Sequence, residues 1–193
     1  MLSLKDRFDL LKRDLLAKPS RISVHQGLPF ALFRYDPDSE WEVRRRARLL
    51  VIPLADHGRE VVFISLADLL WEVIDTCEGL AAIVQLERER GFEAAQEQVT
   101  TYLSDEDWRP LPKLLVEKMQ SLDPQKHIVF LMRAGAMAPA IYQMSRLLEG
   151  MHGLTLVPTI LFYPGIVEGN SGLRFMGSEV AASSSSYRIK VYS

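Results

Sequence analysis

Residues 127–165 constrain the fold more than any other part of the chain, because strand, helix and strand signals follow one another there. His127–Met132 is a short apolar run rich in β-branched and aromatic residues, which is typical of a strand buried on both faces. From Met137 onward apolar residues recur at spacings of three and four, which predicts an amphipathic helix. These residues are Ile141, Met144, Leu148 and Met151, and Gly150 and Gly153 close the helix. Residues 157–163 form a second apolar run, and two strands joined through a helix almost always run parallel.

The segments before this stretch repeat the same alternation of helix and strand. Four apolar residues on one stripe predict a helix over residues 3–17. Strands are predicted at Phe30–Tyr35 and Glu60–Ser65, and helices follow them at residues 36–50 and 66–77. The chain therefore predicts a three-layer α/β fold, with a mainly parallel sheet of about four to six strands and helices on both faces.

The remaining segments are predicted as an insertion and an irregular end. Residues 79–122 read as a helical insertion between two strands, broken at Gly91 and at residues 109–112. Residues 164–172 contain glycines too closely spaced for a regular element, which predicts an ordered loop or a bent edge. Residues 173–176 and 187–192 are candidate short strands, and the clean alternation of the second suits a sheet edge.

Length and composition place the chain among ordinary globular proteins. Its 193 residues fit one domain spanning residues 1–193, with 48% hydrophobic residues to form a core. The 23 basic and 25 acidic residues nearly cancel, which argues against a protein whose main task is to neutralise nucleic-acid phosphates. The lone Cys77 fits a reduced compartment, and no secretory signal or membrane span is evident, so the sequence predicts a cytoplasmic protein.

Known catalytic and cofactor signatures do not occur in the sequence. There is no phosphate-binding loop, no dinucleotide-binding glycine pattern, no zinc spacing and no nucleophile elbow, so neither a cofactor nor a metal is predicted. Arg133 and Ala134 stand where nucleotide-hydrolysing folds would carry a magnesium-binding acid pair. Cys77 lies close to the apolar stripe of its helix, which favours a buried structural thiol over a nucleophile.

The residues that follow predicted strands form a candidate binding edge. Asp36 suits the cap of the next helix, with Pro37 at its first position, although a residue at a strand end can also be a metal ligand or a base. Ligands of open α/β sheets bind at the carboxyl ends of the strands. The whole set is Asp36, Arg133, Gly135, Tyr163, Gly165, Glu168, Asn170 and Arg174. These loops can hold a small molecule, bind a protein or be purely structural.

The helix after Asp36 carries a candidate partner face, defined by Trp41, Arg44, Arg45 and Arg48. Pairs at a spacing of four, Glu40 with Arg44 and Glu42 with Arg46, are consistent with a solvated helix surface. The same arginines are suited to an acidic protein partner or to DNA phosphates. Aromatic residues other than Trp41 are not interleaved here, which favours a protein over DNA.

Two blocks of residues resemble one known family. The first comprises Arg133-Ala134-Gly135, Tyr163-Pro164-Gly165 and residues 172–177. The second comprises Pro29-Phe30, residues 33–37, Glu40, Val43 and Arg44. The second block lies nearer the N-terminus. Taken in chain order, the two blocks resemble the small B component (BrxB) of bacteriophage-exclusion, or BREX, systems.

The resemblance implies a function that the motifs alone do not. Members of that family look like non-catalytic parts of a multi-protein antiviral complex. The expected partners are the alkaline-phosphatase-like component and the large ATPase of the system. We therefore predict a scaffold or adaptor that is not an enzyme. The alternatives are an enzyme or nucleotide sensor with its site at the carboxyl edge of the sheet, and an accessory DNA-binding subunit.

Overall fold

The structure, a computed structural model, describes residues 2–18, 20–22, 28–139, 141–168, 172–177 and 189–193. Eight α-helices occur among these residues: α1 Leu4–Leu16, α2 Glu40–Leu49, α3 Val51–Ala55, α4 Leu66–Thr76, α5 Gly79–Arg90, α6 Phe92–Ser104, α7 Leu111–Met119 and α8 Met144–Gly150. The strands are β1 Phe30–Tyr35, β2 Glu60–Ser65, β3 His127–Met132, β4 Thr159–Glu168, β5 Gly172–Phe175 and β6 Lys190–Tyr192. Every helix in the described residues is too short or too polar to span a membrane.

The strands form one sheet in the order β2-β3-β4-β1-β6, and all of these neighbours are parallel. Strand β5 is the exception, because it pairs antiparallel with the second half of β4. A parallel sheet with intervening helices confirms the predicted α/β fold class.

Alternate residues of the central strands supply two separate cores. Phe30 and Leu32 of β1 face a large core built with α4 to α8, whereas Ala31 and Phe33 face a smaller core built with α1 to α3. Strands β1 and β3 are buried on both faces, as their continuous apolar sequences predict. The sheet is therefore the middle of three layers.

Local sequence signals explain where several helices begin. Ser3 and Asp6 form a reciprocal capping box at the start of α1. Ser65, the last residue of β2, accepts a hydrogen bond from the Asp68 N–H at 3.2 Å and so caps α4 directly. This direct junction puts the first turn of α4 at the carboxyl end of β2.

The helix predicted from Met137 begins later, at Met144. Residues Ala134–Met137 form a 3₁₀ turn instead, and Pro139 follows it. Proline lacks an amide hydrogen and restricts the residue before it, so a helix running through this position is disfavoured. The apolar spacing predicted the existence of α8 correctly, but it placed the start of the helix too early.

The glycine-containing segment after Tyr163 continues as a strand. Residues Gly165 to Glu168 pair with Phe175 to Gly172 in an antiparallel ribbon, where a loop or bent edge was predicted. The predicted strand over residues 173–176 is therefore present as β5. In the last predicted strand, Lys190–Tyr192 pairs with β1 at the sheet edge, while residues 187 and 188 lie outside the described residues.

Candidate functional site

Asp36 caps the 3₁₀ turn Pro37–Ser39 that leads into α2. Its Oδ1 accepts a hydrogen bond from the Asp38 N–H at 3.1 Å, and Pro37 occupies the first position. The capping interpretation of Asp36 accounts for this geometry. Among the described residues, no cluster of three or more histidine, cysteine or acidic side chains is arranged to hold a metal.

Arg133 lies at the carboxyl end of β3 in the left-handed backbone region, with φ 59°. Its Nη1 donates to Oδ1 of Asp68, at the first turn of α4, over 2.9 Å. Gly135 follows in the 3₁₀ turn, and a β-carbon there would lie 3.5 Å from Sδ of Met176. Arg133 therefore points toward β2 and α4, whereas Gly135 lies beside the β4–β5 ribbon.

Three further members of the predicted edge lie in β4 and β5. Tyr163 is buried, and its ring lies 5.2 Å from that of Phe175. Gly165 lies so close to Tyr163 and to the Arg174 carbonyl that a β-carbon would have no space. Arg174 is half-buried in β5, opposite Ile166.

Glu168 and Asn170 complete the predicted edge. Glu168 has a described backbone position at the end of β4, and Asn170 lies outside the described residues. The candidates that the structure describes therefore lie in three places. They divide between the α2 side, the β3 end and the ribbon.

The four residues of the partner face lie on α2, and Trp41 is 77% exposed. Arg44 lies over the Trp41 ring, with Cζ 4.9 Å from the centroid. Arg45 donates twice to Glu42, at 2.8 and 2.9 Å, and Arg46 pairs with the same carboxylate. The hydrogen bond from Arg45, together with Arg46, lowers the pKa of Glu42 to about 2. Glu42 therefore remains charged at neutral pH.

Glu40 has a different partner from the one predicted. It accepts a short hydrogen bond from the buried Tyr35 hydroxyl, at the end of β1. Burial, reinforced by this bond, raises the pKa of Tyr35. Arg44 instead lies over the indole ring of Trp41, so the exposed tryptophan has a fixed neighbour.

Arg44 and Arg48 meet Arg133 in a cleft of about 310 Å³ at the carboxyl ends of β2 and β3. Its other lining residues are Phe63, Ile64, Ser65, Asp68 and Met132. Three arginines and one aspartate give this cleft a positive charge excess. The cleft thus joins part of the predicted partner face to one member of the predicted edge.

Sequence reasoning missed the contribution of β2 to this cleft. The abrupt change from a strand to a helix at Ser65 and Leu66 was the available signal, because it marks another strand end on the same sheet edge. That signal identifies the end of β2, but it does not show that α2 places Arg44 and Arg48 beside it.

The sole cysteine is half-buried near the end of α4. Burial, with a smaller effect from Glu78, raises the pKa of the Cys77 thiol. The thiol is therefore protonated at neutral pH, which favours the structural interpretation over a nucleophile.

The parallel sheet, its two helical layers and the arginine-lined cleft define a three-layer α/β protein with an open strand-end surface. The chain belongs to the family described as BREX protein BrxB, whose model matches residues 62–190. The match contains Arg133 to Gly135 and the β4–β5 segment, and it begins after the Phe30 to Arg44 block. No curated protein and no solved structure matches the chain. Family membership makes the chain a component of a bacteriophage-exclusion system.

Proposed function

We propose that the chain is a non-catalytic scaffold or adaptor of a cytoplasmic BREX complex and that it binds other components through the α2 surface. The observation that carries this proposal is Trp41, a large aromatic side chain with 77% of its surface exposed. Tryptophan and arginine are enriched among the residues that dominate protein interfaces. An exposed tryptophan beside three arginines therefore supports a protein-binding role.

The partner face has a preorganised polar part and an apolar extension. Arg44 is positioned over Trp41, and Glu42 holds Arg45 through two hydrogen bonds. Leu49 is 60% exposed and Ile52 is 72% exposed farther along the same helical segment. Fixed side chains lose less conformational freedom on binding. This surface suits a partner that offers an apolar patch with acidic residues around it.

The proposed partners are the alkaline-phosphatase-like component and the large ATPase of the defence system. The family assignment supports partners within that system, and the partner face supplies a surface suited to binding them. The scaffold role requires the chain to contact at least one of these components directly.

Co-purification of the tagged chain from its native host, followed by mass spectrometry, tests the scaffold proposal. We expect the wild-type chain to recover the partner components. Trp41→Ala should lower their recovery about tenfold or more, because loss of an interface tryptophan often costs at least ~2 kcal/mol. Trp71→Ala is the matched control, since Trp71 is 49% exposed on α4 across the sheet. Recovery should remain unchanged in this variant.

Recovery of the wild-type chain alone would oppose the scaffold proposal. The arginines of the cleft favour a nucleotide sensor as the second candidate, because guanidinium groups bind phosphate well. Thermal stabilisation by a nucleotide, or phosphate release lost in Arg133→Ala and Glu168→Ala, would support a sensor or an enzyme. Tight DNA binding that weakens steeply with salt would support the accessory DNA-binding role.

A further inference from the structure

Strand β2 lies at one end of the sheet, and within the described part of the chain its outer edge has no strand partner. Among the described residues, β3 is the only strand that pairs with β2. Every residue of β2 is at least partly exposed, whereas Ile128 to Met132 of β3 are buried. The uncharged run from Val61 to Ile64 lacks the lysine or proline that commonly protects an edge strand.

The backbone of β2 presents hydrogen-bonding groups along this edge. The Glu60 N–H donates to the Lys126 carbonyl at 2.7 Å, which orients Glu60 toward the β3 side. Alternate residues of a parallel strand bond to the same neighbour, so the N–H and C=O groups of Val61 and Phe63 point away from β3. Another extended chain can therefore pair with these groups.

The arginine-lined cleft lies at the carboxyl end of this edge strand. Three consecutive β2 residues, Phe63, Ile64 and Ser65, contribute to its lining. The cleft therefore covers the last three residues of β2, next to Met132 and Arg133 at the end of β3. Phe63 is 41% exposed, and its ring packs edge-on against Phe130 at a centroid distance of 5.6 Å. This packing positions an apolar contact beside the free backbone groups.

The charge of the cleft defines the chemistry of its occupant. Arg44 and Arg48 line it from α2, Arg133 lines it from the end of β3, and Asp68 is its single acidic lining residue. Asp68 already pairs with Arg133. Carboxylates on an incoming segment therefore complement the remaining positive charge, and an apolar side chain fits beside Phe63.

We propose that β2 docks an extended, acidic segment of a partner protein, which adds to the sheet as a further strand. This inference rests on the proposed scaffold function and names the kind of segment that the scaffold receives. Backbone pairing supplies affinity, while the arginines and Phe63 select acidic and apolar side chains. A second copy of β2 is a poorer occupant, because Arg59 accompanies Glu60 at its amino end and offsets the acidic charge.

Two synthetic ten-residue peptides with blocked ends provide the direct test on the full chain. One alternates glutamate and valine, and the other alternates lysine and valine. We expect the acidic peptide to bind about tenfold more tightly or better, because its charge complements the cleft. In NMR-detected hydrogen exchange, it should slow exchange of the Val61 and Phe63 amides about tenfold or more through strand pairing.

Charge reversal supplies the matched comparison. Arg48→Glu should weaken binding of the acidic peptide about tenfold, since it replaces attraction with repulsion. Arg88→Glu makes the same charge change on the exposed surface of α5, outside the cleft, and should leave binding unchanged. Phe63→Pro removes an outward N–H and the exposed ring. Arg48→Glu also provides a test that requires no change in β2.

Several results would overturn the proposed docking site. These are equal binding of the two peptides, acidic-peptide binding without protection of Val61 and Phe63, and tighter binding of ATP or a ten-residue oligothymidylate. A dimer lost in Phe63→Pro would assign the edge to a second copy. Equal co-purification of partners by the wild-type chain and Phe63→Pro would remove the edge proposal while retaining the scaffold. If the wild-type chain recovers no partner, the scaffold proposal fails, and the peptide measurements still decide the chemistry of the edge.

Discussion

The buried carboxylate of Asp14 joins α1 to the strand at the far edge of the sheet. It accepts hydrogen bonds from Nζ of Lys190 at 2.7 Å and from the Tyr192 hydroxyl at 3.0 Å. Lys190 also donates to the Arg21 carbonyl at 3.0 Å. Strand β6 has only three residues, so these side-chain bonds add to its short pairing with β1.

Replacing Asp14 should destabilise this end of the fold. Asp14→Ala leaves Lys190 without its buried counter-charge, so we expect the free energy of unfolding to fall by about 3 kcal/mol. Urea denaturation measures this change. Asp9→Ala provides a matched control on the exposed side of α1 and should change stability by less than about 0.5 kcal/mol. Equal stability of the two variants would contradict the assigned role of Asp14.

A buried tyrosine on α6 links stability to alkaline pH. Burial, followed by its hydrogen bond to Glu78, raises the pKa of Tyr102 to about 12. An exposed tyrosine in the unfolded chain titrates near pH 10. The folded state therefore retains a proton that the unfolded state releases, so this stabilising contribution is complete below pH 10 and decreases toward pH 12.

The Tyr102→Phe variant tests this linkage. Between pH 10 and 12, its stability should fall less steeply with pH than that of the wild type, by up to about 1.4 kcal/mol per pH unit. Urea denaturation across this range gives the slopes. Glu78→Gln removes the carboxylate but keeps the tyrosine, so its slope should lie between the other two. Parallel slopes for all three proteins would show that Tyr102 does not titrate differently on folding.

The sequence predicts individual site roles better than their spatial grouping. The Asp36 cap follows from an aspartate before proline, and Cys77 lies beside an apolar helical stripe. The convergence of Arg44 and Arg133 depends on α2 lying beside the carboxyl ends of β2 and β3. The spacing of residues along the chain does not show that these two arginines lie close together, so the cleft could be found only in the tertiary structure.

At the scale of elements, Gly165 in the β4–β5 ribbon contrasts with Gly135, which lies beside the ribbon in the 3₁₀ turn after β3. A β-carbon at Gly165 would lie 2.6 Å from both the Arg174 carbonyl oxygen and the Tyr163 ring. At Gly135 the nearest atom is 3.5 Å away, which is an ordinary contact. The close packing of the ribbon therefore requires glycine at position 165.

Alanine substitutions should separate these two positions. We expect Gly165→Ala to lower the free energy of unfolding by about 1–3 kcal/mol, because the added methyl group forces the ribbon apart. Gly135→Ala should change it by less than about 0.5 kcal/mol. Thermal unfolding of both variants provides the comparison. Tolerance of alanine at Gly165 would indicate that the ribbon does not need this close approach.

Local patterns predicted most of the elements but not all of their ends. Apolar runs identified β1, β2 and β3, and stripes at spacings of three and four identified α1 and α4. Pro139 separates the predicted helix start from the observed α8, because proline disfavors a helical interior there. The extension of β4 depends on pairing with β5, a contact that no pattern in either segment encodes.

At the scale of the whole molecule, the two cores share the same sheet. We propose that residues 1–193 form one cooperative domain with a helical insertion at about residues 79–122. Strand β1 contributes Phe33 to one core and Leu32 to the other, so loss of the sheet disrupts both. This arrangement favours a single unfolding transition.

The three tryptophans provide probes of both helical layers. Trp41 lies on α2, Trp71 lies on α4, and Trp108 packs against Tyr102 at 4.8 Å. We expect coincident urea transitions in two variants, one retaining Trp41 alone and one retaining Trp71 and Trp108, because the layers share the sheet. Fluorescence measures each transition. A separate transition for Trp71 and Trp108 would indicate that the helical layer containing α4 unfolds independently of the layer containing α2.

The central position of β1 has a consequence for how the chain acquires its structure. Phe30 on β1 pairs with Thr159 on β4, and Ala31 pairs with Lys190 on β6. During synthesis, β1 therefore emerges long before either of its neighbouring strands. Such long-range pairing slows folding and leaves strand edges exposed while the ribosome is still extending the chain. The Phe30–Tyr35 segment therefore stays without its β4 partner in the nascent chain until residues 159–164 have been synthesised.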